Sequence, residues 1–220
     1  TSYEFVTGVQ TCALPIYDDL VTGSSQADTL YGGAGLDALS GGLGNDFIYG
    51  EDGGDTLNGG NGTDTISGGN DDDVLNGDAA NDVLLGGDGF DTLTGGTGVD
   101  DMTGGTGEDL FYFGTGDIDT TLGAVTDIIR DLDTANGDRI RGSYGAGSAT
   151  NYSEGGSTES SLANLLTSAN TALNGTVKYY VGQVGTDSYL VTDNDGNGYT
   201  EVIQLVGVSL DQITHTDIQT

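Results

Sequence analysis

Apolar and polar residues recur along the first half of the chain with a period of nine residues. Between Gly23 and Tyr112 the pattern Gly-Gly-x-Gly-x-Asp-x-apolar-x occurs ten times in an unbroken register. Its first position is always glycine, its sixth is always aspartate and its eighth is always apolar. A fixed short period is typical of a solenoid, in which each small unit buries its apolar side chain only by stacking on its neighbours.

Each recurring position predicts a piece of local structure. The Asp-x-apolar-x segment suits a short strand, and the glycine-rich segment suits a turn that needs positive φ. If two such units form one coil, repeats i and i+2 stack, which places Leu39 on Leu57 and Ile48 on Ile66. The sixth-position aspartates then form two ladders. The eighth-position residues, which we expect inside, are Leu30, Leu39, Ile48, Leu57, Ile66, Leu75, Leu84, Leu93, Met102 and Phe111.

The charge distribution requires a cation. The formal charge is −31, and residues 23–112 contain 18 acidic side chains but no Lys or Arg. Carboxylates stacked at the usual strand spacing of about 5 Å repel one another. A hard divalent cation resolves this conflict, and calcium suits carboxylate and carbonyl oxygen ligands. The acidity argues against nucleic acid and anionic membrane surfaces as partners, and without a run of 18 apolar residues no membrane insertion is predicted.

The array resembles the hemolysin-type calcium-binding nonapeptide repeats of RTX (repeats-in-toxin) proteins. The resemblance implies an all-β fold, with a right-handed parallel β-roll, a calcium-binding solenoid, over residues 18–112 and a small C-terminal β-rich cap with one helix over residues 113–220. It also implies several calcium ions, up to about eight when repeat i pairs with i+2. In that family one repeat supplies the carbonyls of its second and fourth positions and its aspartate carboxylate. The repeat two further on supplies the carbonyls of its first and third positions and its own aspartate.

The resemblance transfers these roles to particular residues of this chain. One implied site uses Gly33, Gly35 and Asp37 with Gly50, Asp52 and Asp55. The full set of implied metal-binding residues is Asp28, Gly33, Gly35, Asp37, Gly42, Gly44, Asp46, Gly50, Asp52, Gly53, Asp55, Gly59, Gly60, Asn61, Gly62, Asp64, Gly68, Gly69, Asn70, Asp73, Gly77, Ala79, Asp82, Gly86, Gly87, Asp88, Gly89, Asp91, Gly95, Thr97, Asp100, Gly104, Thr106 and Asp109.

Some copies depart from the pattern. Ser24, Gln26 and Ala27 disrupt the first turn, so sites that use Gln26 or Ala80 are in doubt. Ala80 also stands where glycine is expected, and so does Asp71, although aspartate tolerates the left-handed region better than most residues.

The period ends after Tyr112, and the remaining sequence predicts a small antiparallel sheet with one helix. We expect the aromatic residues 111–113 to cover the last coil, strands at 127–132 and 139–141, and a loop at 142–156. A helix capped by Ser157 or Thr158 should follow, because Leu162, Leu165, Leu166, Ala169 and Leu173 have helical spacing, and Asn174-Gly175 should end it. Further strands are predicted at 177–184, 188–192 and 199–206.

This segment resembles the C-terminal region of serralysin-like, type I-secreted RTX proteins. The resemblance rests on 109–113, on 127–132 with Gly137-Asp138-Arg139-Ile140, on Asp193-Asn194-Asp195-Gly196-Asn197-Gly198, and on 205–208. It implies export through a type I secretion apparatus to the extracellular medium, without an N-terminal signal peptide, and a monomeric protein. The 193–198 stretch also resembles an EF-hand loop, but Gln204 stands where its bidentate Glu belongs, which favours a hairpin turn.

The first 17 residues are interpreted separately. Residues 6–16 resemble a translated sequencing adapter, so we expect residues 1–17 to be a non-native segment; the alternative is an N-terminal capping strand. The lone Cys12 excludes an intrachain disulfide.

No catalytic constellation is apparent in the sequence. His215 is the single histidine, and neither a His-Glu-x-x-His nor a Gly-x-Ser-x-Gly motif occurs. We therefore expect a non-enzymatic, calcium-dependent folding and secretion module. Two alternatives stay open at this point: the C-terminal part of a secreted hydrolase or epimerase, such as a protease or lipase, and a structural or adhesive surface protein.

Overall fold

A computed structural model describes residues 2–5, 16–114, 127–142, 152–159, 161–173, 179–192, 201–214 and 216–219. Two sheets form its body, with strands numbered in chain order. The first sheet contains, in spatial order, β1 (Ser2–Phe5), β2 (Asp19–Thr22), β4 (Ala38–Leu43), β6 (Thr56–Asn61), β8 (Val74–Ala79), β10 (Thr92–Thr97), β12 (Leu110–Phe113), β14 (Arg139–Gly142) and β19 (Ile218–Gln219).

The second sheet lies across the core from the first. In spatial order it contains β15 (Tyr152–Glu159), β16 (Tyr179–Val184), β17 (Asp187–Thr192), β18 (Glu201–Leu205), β13 (Asp127–Ile129), β11 (Asp101–Thr106), β9 (Val83–Asp88), β7 (Thr65–Asn70), β5 (Phe47–Asp52) and β3 (Thr29–Ala34). The chain also forms one α-helix, α1 (Leu162–Ala172), and a 3₁₀ turn at Leu210–Gln212 within the described residues.

Successive strands of the array alternate between the two sheets, and every pair within it is parallel. Leu39 pairs with Leu57, and Ile48 pairs with Ile66, each 18 residues apart. The predicted all-β parallel roll with two strands per coil is therefore confirmed.

One apolar side chain per repeat fills the space between the sheets. Within each strand, buried eighth-position residues alternate with more exposed neighbours, as in Phe47–Asp52, where Ile48 is fully buried and Phe47 is exposed. All ten eighth-position residues of the array belong to one continuous core cluster. This row of eighth-position side chains forms an apolar seam between the sheets. The seam is continuous because every coil buries its two apolar residues against the coils on either side.

Both sheets continue past the end of the nine-residue period. Strand β14 adds to β12, and β13 adds to β11, each in parallel. The prediction that residues 111–113 cover the last coil is therefore wrong: Phe111 and Phe113 are buried in the core, and further strands lie beyond them. The prediction failed because β13 and β14 carry Asp-x-Ile segments that pair like another coil, although they lie outside the period.

The C-terminal segment forms a mixed arrangement. Strand β17 is antiparallel to both of its neighbours, β16 and β18, as predicted. However, β18 joins β13 in parallel, and β15 joins β16 in parallel. The predicted loop over 142–156 is wrong from Tyr152 onward, because β15 occupies 152–159. The rest of that loop, 143–151, lies outside the described residues.

The helix begins later than its sequence predicted. Its N-cap is Ser161, whose Oγ accepts a hydrogen bond from the Asn164 N–H at 3.3 Å, rather than Ser157 or Thr158. Both residues lie within strand β15, where Thr158 pairs with Gln183 of β16, and sheet formation outweighs a local capping preference. The apolar face of α1 packs on Tyr180, Val191 and Val202, where Leu165 and Ala169 are fully buried. The predicted end at Asn174-Gly175 lies outside the described residues.

Several other predictions also fall outside the described residues. These are the adapter-like residues 6–15 with Cys12, the EF-hand-like loop 193–198, and His215. Strand β1, Ser2–Phe5, pairs in parallel with β2 and so extends the first sheet. Among the described residues, no helix is both long and apolar enough to cross a membrane.

The continuous core predicts a large cost for removing one eighth-position side chain. Leu57→Ala deletes a side chain that is 1% exposed and should lower the free energy of unfolding by about 2–5 kcal/mol. Leu85→Ala is the matched control, because Leu85 is 39% exposed on the outer face and should cost less than about 1 kcal/mol. Urea unfolding in saturating calcium measures both. Equal losses in the two variants would contradict this core assignment.

Candidate metal centre

The turns between strands repeat one backbone conformation. Glycines at the second and fourth positions have positive φ, for example Gly42 at 101° and Gly44 at 125°. Where other residues replace them the conformation persists: the residues are Glu51, Asp71, Asp78 and Ala80, at 80°, 76°, 71° and 85°. The turn containing Ala80 therefore keeps its shape, and its N–H donates to the Thr97 carbonyl at 2.8 Å like the glycines at that position. Ser24 and Gln26 do not adopt positive φ, so the first turn lacks the conformation of the others.

The sixth-position aspartates form two ladders, as predicted. In every ladder member after Asp19 and Asp28, one carboxylate oxygen, Oδ1, accepts the backbone N–H of the aspartate one coil earlier, at 2.7–3.0 Å. The first ladder contains Asp19, Asp37, Asp55, Asp73, Asp91, Asp109 and Asp138. The second contains Asp28, Asp46, Asp64, Asp82, Asp100 and Asp127.

The other carboxylate oxygen is buried without a hydrogen-bond donor along most of both ladders. Each of these residues is at most 2% exposed. The Oδ2 atoms concerned are those of Asp37, Asp46, Asp55, Asp64, Asp73, Asp82, Asp91 and Asp109. Burying an ionised carboxylate oxygen without a partner is costly, so this row of atoms points to a positively charged ligand.

Seven of these eight oxygens, all but that of Asp109, lie beside a glycine whose Cβ would also meet a carbonyl of the next coil. A Cβ on Gly41 would lie 2.3 Å from Asp46 Oδ2 and 2.7 Å from the Gly59 carbonyl oxygen. Gly41 does not have positive φ; glycine is needed there because any side chain would enter the space between the two oxygens. The same two neighbours recur at Gly32, Gly50, Gly59, Gly68, Gly77 and Gly86.

Other carbonyls of the predicted ligand set face the same gaps between coils. A Cβ on Gly60 would lie 2.3 Å from the Gly42 carbonyl, and one on Gly62 would lie 1.6 Å from the Gly44 carbonyl. Second- and fourth-position carbonyls therefore point at the next coil. Third-position carbonyls point back, and six of them accept a fourth-position N–H, as Asn61 does from Gly44 at 2.8 Å. The structure brings repeats i and i+2 together as the predicted ligand sets require; the ligand roles themselves stay a prediction.

The donor set fits calcium. Carboxylate and carbonyl oxygens face these gaps, which suits a hard cation that takes six to eight oxygen ligands. In the described part of the chain no three acidic, His or Cys side chains converge on one point. The carbonyls described above are backbone groups, so the turn conformation decides where they point.

Burial raises the pKa of the ladder carboxyls. Desolvation is the largest cause at each, the backbone N–H donor opposes it, and neighbouring carboxylates raise the values further at most positions. The pKa is raised to about 6 at Asp46, Asp55, Asp91 and Asp109, to about 7 at Asp73 and to about 8 at Asp82. It is also raised at Asp37, Asp64 and Asp138. The folded ladder therefore resists ionisation unless a cation compensates its charge.

Three ladder members were missed by the sequence reasoning. Asp19 and Val21 occupy the sixth and eighth positions of a further copy before Gly23, and the nine-residue frame extended backwards would have found them. Asp127 and Asp138 continue the ladders from outside the period, 27 and 29 residues from their partners. Their signal was the Asp-x-Ile segment that each begins.

Protein donors reach Oδ2 at two terminal members of the ladders, Asp28 and Asp138, although Oδ1 of Asp28 and of Asp19 is buried without a donor. Asp28 Oδ2 accepts the Ser24 N–H at 2.6 Å and the Ser24 hydroxyl at 2.9 Å. Asp138 Oδ2 accepts the Asp133 N–H at 2.7 Å. The ends of the ladders therefore differ from the interior, where no such donor reaches the second oxygen of the residues named above.

These features define a parallel β-solenoid with oxygen-lined turns. Residues 16–48, 49–84 and 85–117 match the family model of the RTX calcium-binding nonapeptide repeat (four copies). This part of the chain belongs to that family: it is an array of RTX calcium-binding repeats, as the sequence resemblance implied. The repeats form a structural rather than a catalytic unit.

The chain is similar to two solved structures. One is the solution structure of the AlgE6R3 subunit from the Azotobacter vinelandii mannuronan C5-epimerase, at 22% identity and a TM-score of 0.34, with 92% of this chain and 77% of that chain covered. The other is the extracellular lipase LipA from Serratia marcescens, at 16% identity and a TM-score of 0.34, with 98% and 42% covered. This chain thus spans less than half the length of the lipase. No curated protein matches the sequence.

The first prediction from this geometry concerns the space beside Gly41. Gly41→Ala should abolish calcium binding at that gap, because its Cβ would occupy the space between Asp46 Oδ2 and the Gly59 carbonyl. Gly185→Ala is the control: no atom lies within 4 Å of its Cβ, so only its φ of +65° opposes the change, at about 1 kcal/mol. Calorimetric calcium titration measures both. A full calcium count in Gly41→Ala would rule out this location.

The second prediction concerns pH. An aspartate with a folded pKa above its unfolded value of about 3.9 binds its proton more tightly when folded. The stability it contributes is present below about pH 4 and is lost as the pH rises through the folded pKa values of about 6 to about 8. Circular dichroism of the protein in chelator should therefore show strand content falling between about pH 4 and about pH 8. In saturating calcium the trend should reverse, because protons compete with the ion.

Proposed function

We propose that this chain is the calcium-dependent folding and secretion module of a protein exported by a type I apparatus. The observation that carries the proposal is the row of buried carboxylate oxygens without a hydrogen-bond donor, all but one of the named oxygens lying close to a carbonyl of the next coil. RTX repeats are typical of calcium-binding modules of secreted proteins, which agrees with this arrangement. We also propose that the protein is extracellular and monomeric.

The residues that would hold the ions follow from the stacking. Asp46 and Asp64 would contribute to one gap, together with the carbonyls of Gly42, Gly44 and Gly59. Asp64 would also contribute to the next gap, with Asp82, so that an interior aspartate serves two ions. Bound calcium supplies positive charge where the ladder carboxylates have no other compensation.

The missing basic residues give the module its dependence on calcium. Without Lys or Arg in the array, repulsion between the stacked carboxylates opposes folding until ions bind. Extracellular calcium modules bind at about 10⁻⁴–10⁻³ M, far above cytosolic free calcium, so the roll would stay unfolded inside the cell. An unfolded chain can pass through a narrow channel, with the segment after Tyr112 supplying an uncleaved signal. Outside, ion binding supplies the folding free energy.

Circular dichroism tests this proposal directly. The full chain should be mostly coil in chelator at neutral pH and rich in strand in millimolar calcium. Magnesium at the same concentration should act weakly, because it demands a small octahedral site and keeps its waters. Strand content that is already complete in chelator at neutral pH would overturn the calcium-gated mechanism.

A substitution in the ladder separates the ion sites from ordinary acidic residues. Asp64→Asn keeps the Oδ1 acceptor but removes the charge that would serve two ions, so it should lower the calcium stoichiometry and raise the calcium concentration needed for folding. Asp187→Asn is the control, because Asp187 lies outside the array at the start of strand β17, where it accepts hydrogen bonds from Gly207 and Gln204. Equal stoichiometry in the two variants would contradict the assignment.

A further inference from the structure

The turns of the array form two separate columns. Turns 32–36, 50–54, 68–72, 86–90 and 104–108 stack on one edge of the roll, and turns 23–27, 41–45, 59–63, 77–81 and 95–99 stack on the other. We call the edge that contains turn 32–36 the acidic edge and the edge that contains turn 23–27 the neutral edge. Each edge contains one aspartate ladder, so each would contain its own row of calcium sites.

The two edges differ sharply in charge outside the ladders. The acidic edge, with residue 18 at its N-terminal end, carries seven exposed carboxylates: Asp18, Glu51, Asp52, Asp71, Asp72, Asp88 and Glu108. The turns of the neutral edge carry one, Asp78. The strict nine-residue repeat conceals this difference, because alternate copies go to opposite edges.

The fold does not require the extra charge. At the fifth position of the acidic edge, Asp72 Oδ1 accepts the backbone N–H of Phe90 at 2.9 Å. At the equivalent place on the neutral edge, Asn81 Oδ1 accepts the N–H of Val99 at 3.0 Å. The pair Asp18 and Asn45 repeats this contrast, at 3.1 and 3.0 Å. A neutral amide makes the same hydrogen bond, so the carboxylates at this fifth position add charge without adding a contact.

Both edges also contain buried oxygens that lack a donor. On the acidic edge, Asp55 and Asp73 each have such an Oδ2, and each residue is 1% exposed. On the neutral edge, Asp46 and Asp64 each have one, and these residues are 1% and 0% exposed. The inner parts of the two rows are therefore alike, and the surrounding charge is what separates them. If the proposed function holds, we infer that the acidic edge binds calcium more tightly than the neutral edge, so that the two rows fill in order.

The physical basis is long-range attraction rather than direct coordination. None of Glu51, Asp71, Asp72 and Glu108 supplies a proposed side-chain ligand, but all lie in turns that would hold an ion. Because these side chains would not contact the ion, their charges act on it through solvent. Salt screens this attraction over about 30 Å at 0.01 M and over about 8 Å at 0.15 M. The difference between the rows should therefore be large at low ionic strength and should shrink as salt is added.

Calorimetric calcium titration of the full chain at low salt provides the test. We expect two classes of site. The variant E51Q/D71N/D72N/E108Q should weaken the tighter class by about threefold or more, given the size of Coulomb interactions near a protein surface. The reciprocal variant N45D/N81D adds two carboxylates at positions that already accept the same hydrogen bond, and it should strengthen the weaker class. It keeps the inference testable if the quadruple variant folds poorly.

Single ladder substitutions assign the classes to edges. Asp73→Asn should remove ions from the tighter class, and Asp64→Asn should remove ions from the weaker one. One class of sites that responds equally to both substitutions and to neither charge variant would overturn the inference while leaving the proposed function intact. Failure of the wild-type chain to bind calcium would overturn the proposed function itself.

Discussion

Buried carboxylate charge is the constraint on which this structure depends. Each interior aspartate uses one oxygen to bind the backbone of the preceding coil, so the ladder cannot be removed without loosening the stack. The second oxygen is buried by that same packing and has no donor at residues such as Asp46 and Asp64. The contact that aligns the coils therefore creates the charge that needs a cation. Apolar burial supplies the seam, but it cannot remove this electrostatic cost.

The periodic part of the fold was predictable because one pattern fixes several things together. Glycine at the first position, aspartate at the sixth and an apolar residue at the eighth specify the turn, the ladder and the seam in every copy. The pairing of Leu39 with Leu57 and the two ladders followed from that pattern alone. Individual sequence positions were less informative: Glu51 and Asp78 adopt the turn conformation at positive φ although neither is glycine. There the stacked neighbours on both sides determine the backbone.

Prediction failed where a local signal competed with pairing between distant segments. Ser157 and Thr158 look like helix caps, yet they belong to strand β15, because the edge of β16 was available for parallel pairing. Asp127 and Asp138 continue the ladders although their distances from their partners break the period. A strand with Asp-x-Ile can dock on the end of the roll whatever the length of the connection before it. The sequence predicts such a strand, but tertiary packing determines which strand it pairs with.

Because one coil contains two repeats, the parity of a length change matters more than its size. A change of 18 residues leaves every later turn in its own column, whereas a change of nine transfers all later turns to the opposite column. One shift to the opposite column occurs among the described residues. Counting in nines from Asp109 places residue 127 in the same ladder as Asp109, yet Asp127 stacks on Asp100, 27 residues away, in the other ladder. The C-terminal strands are thus out of phase with the array by one repeat, and a graft that joined them to a longer or shorter array would have to preserve that odd offset.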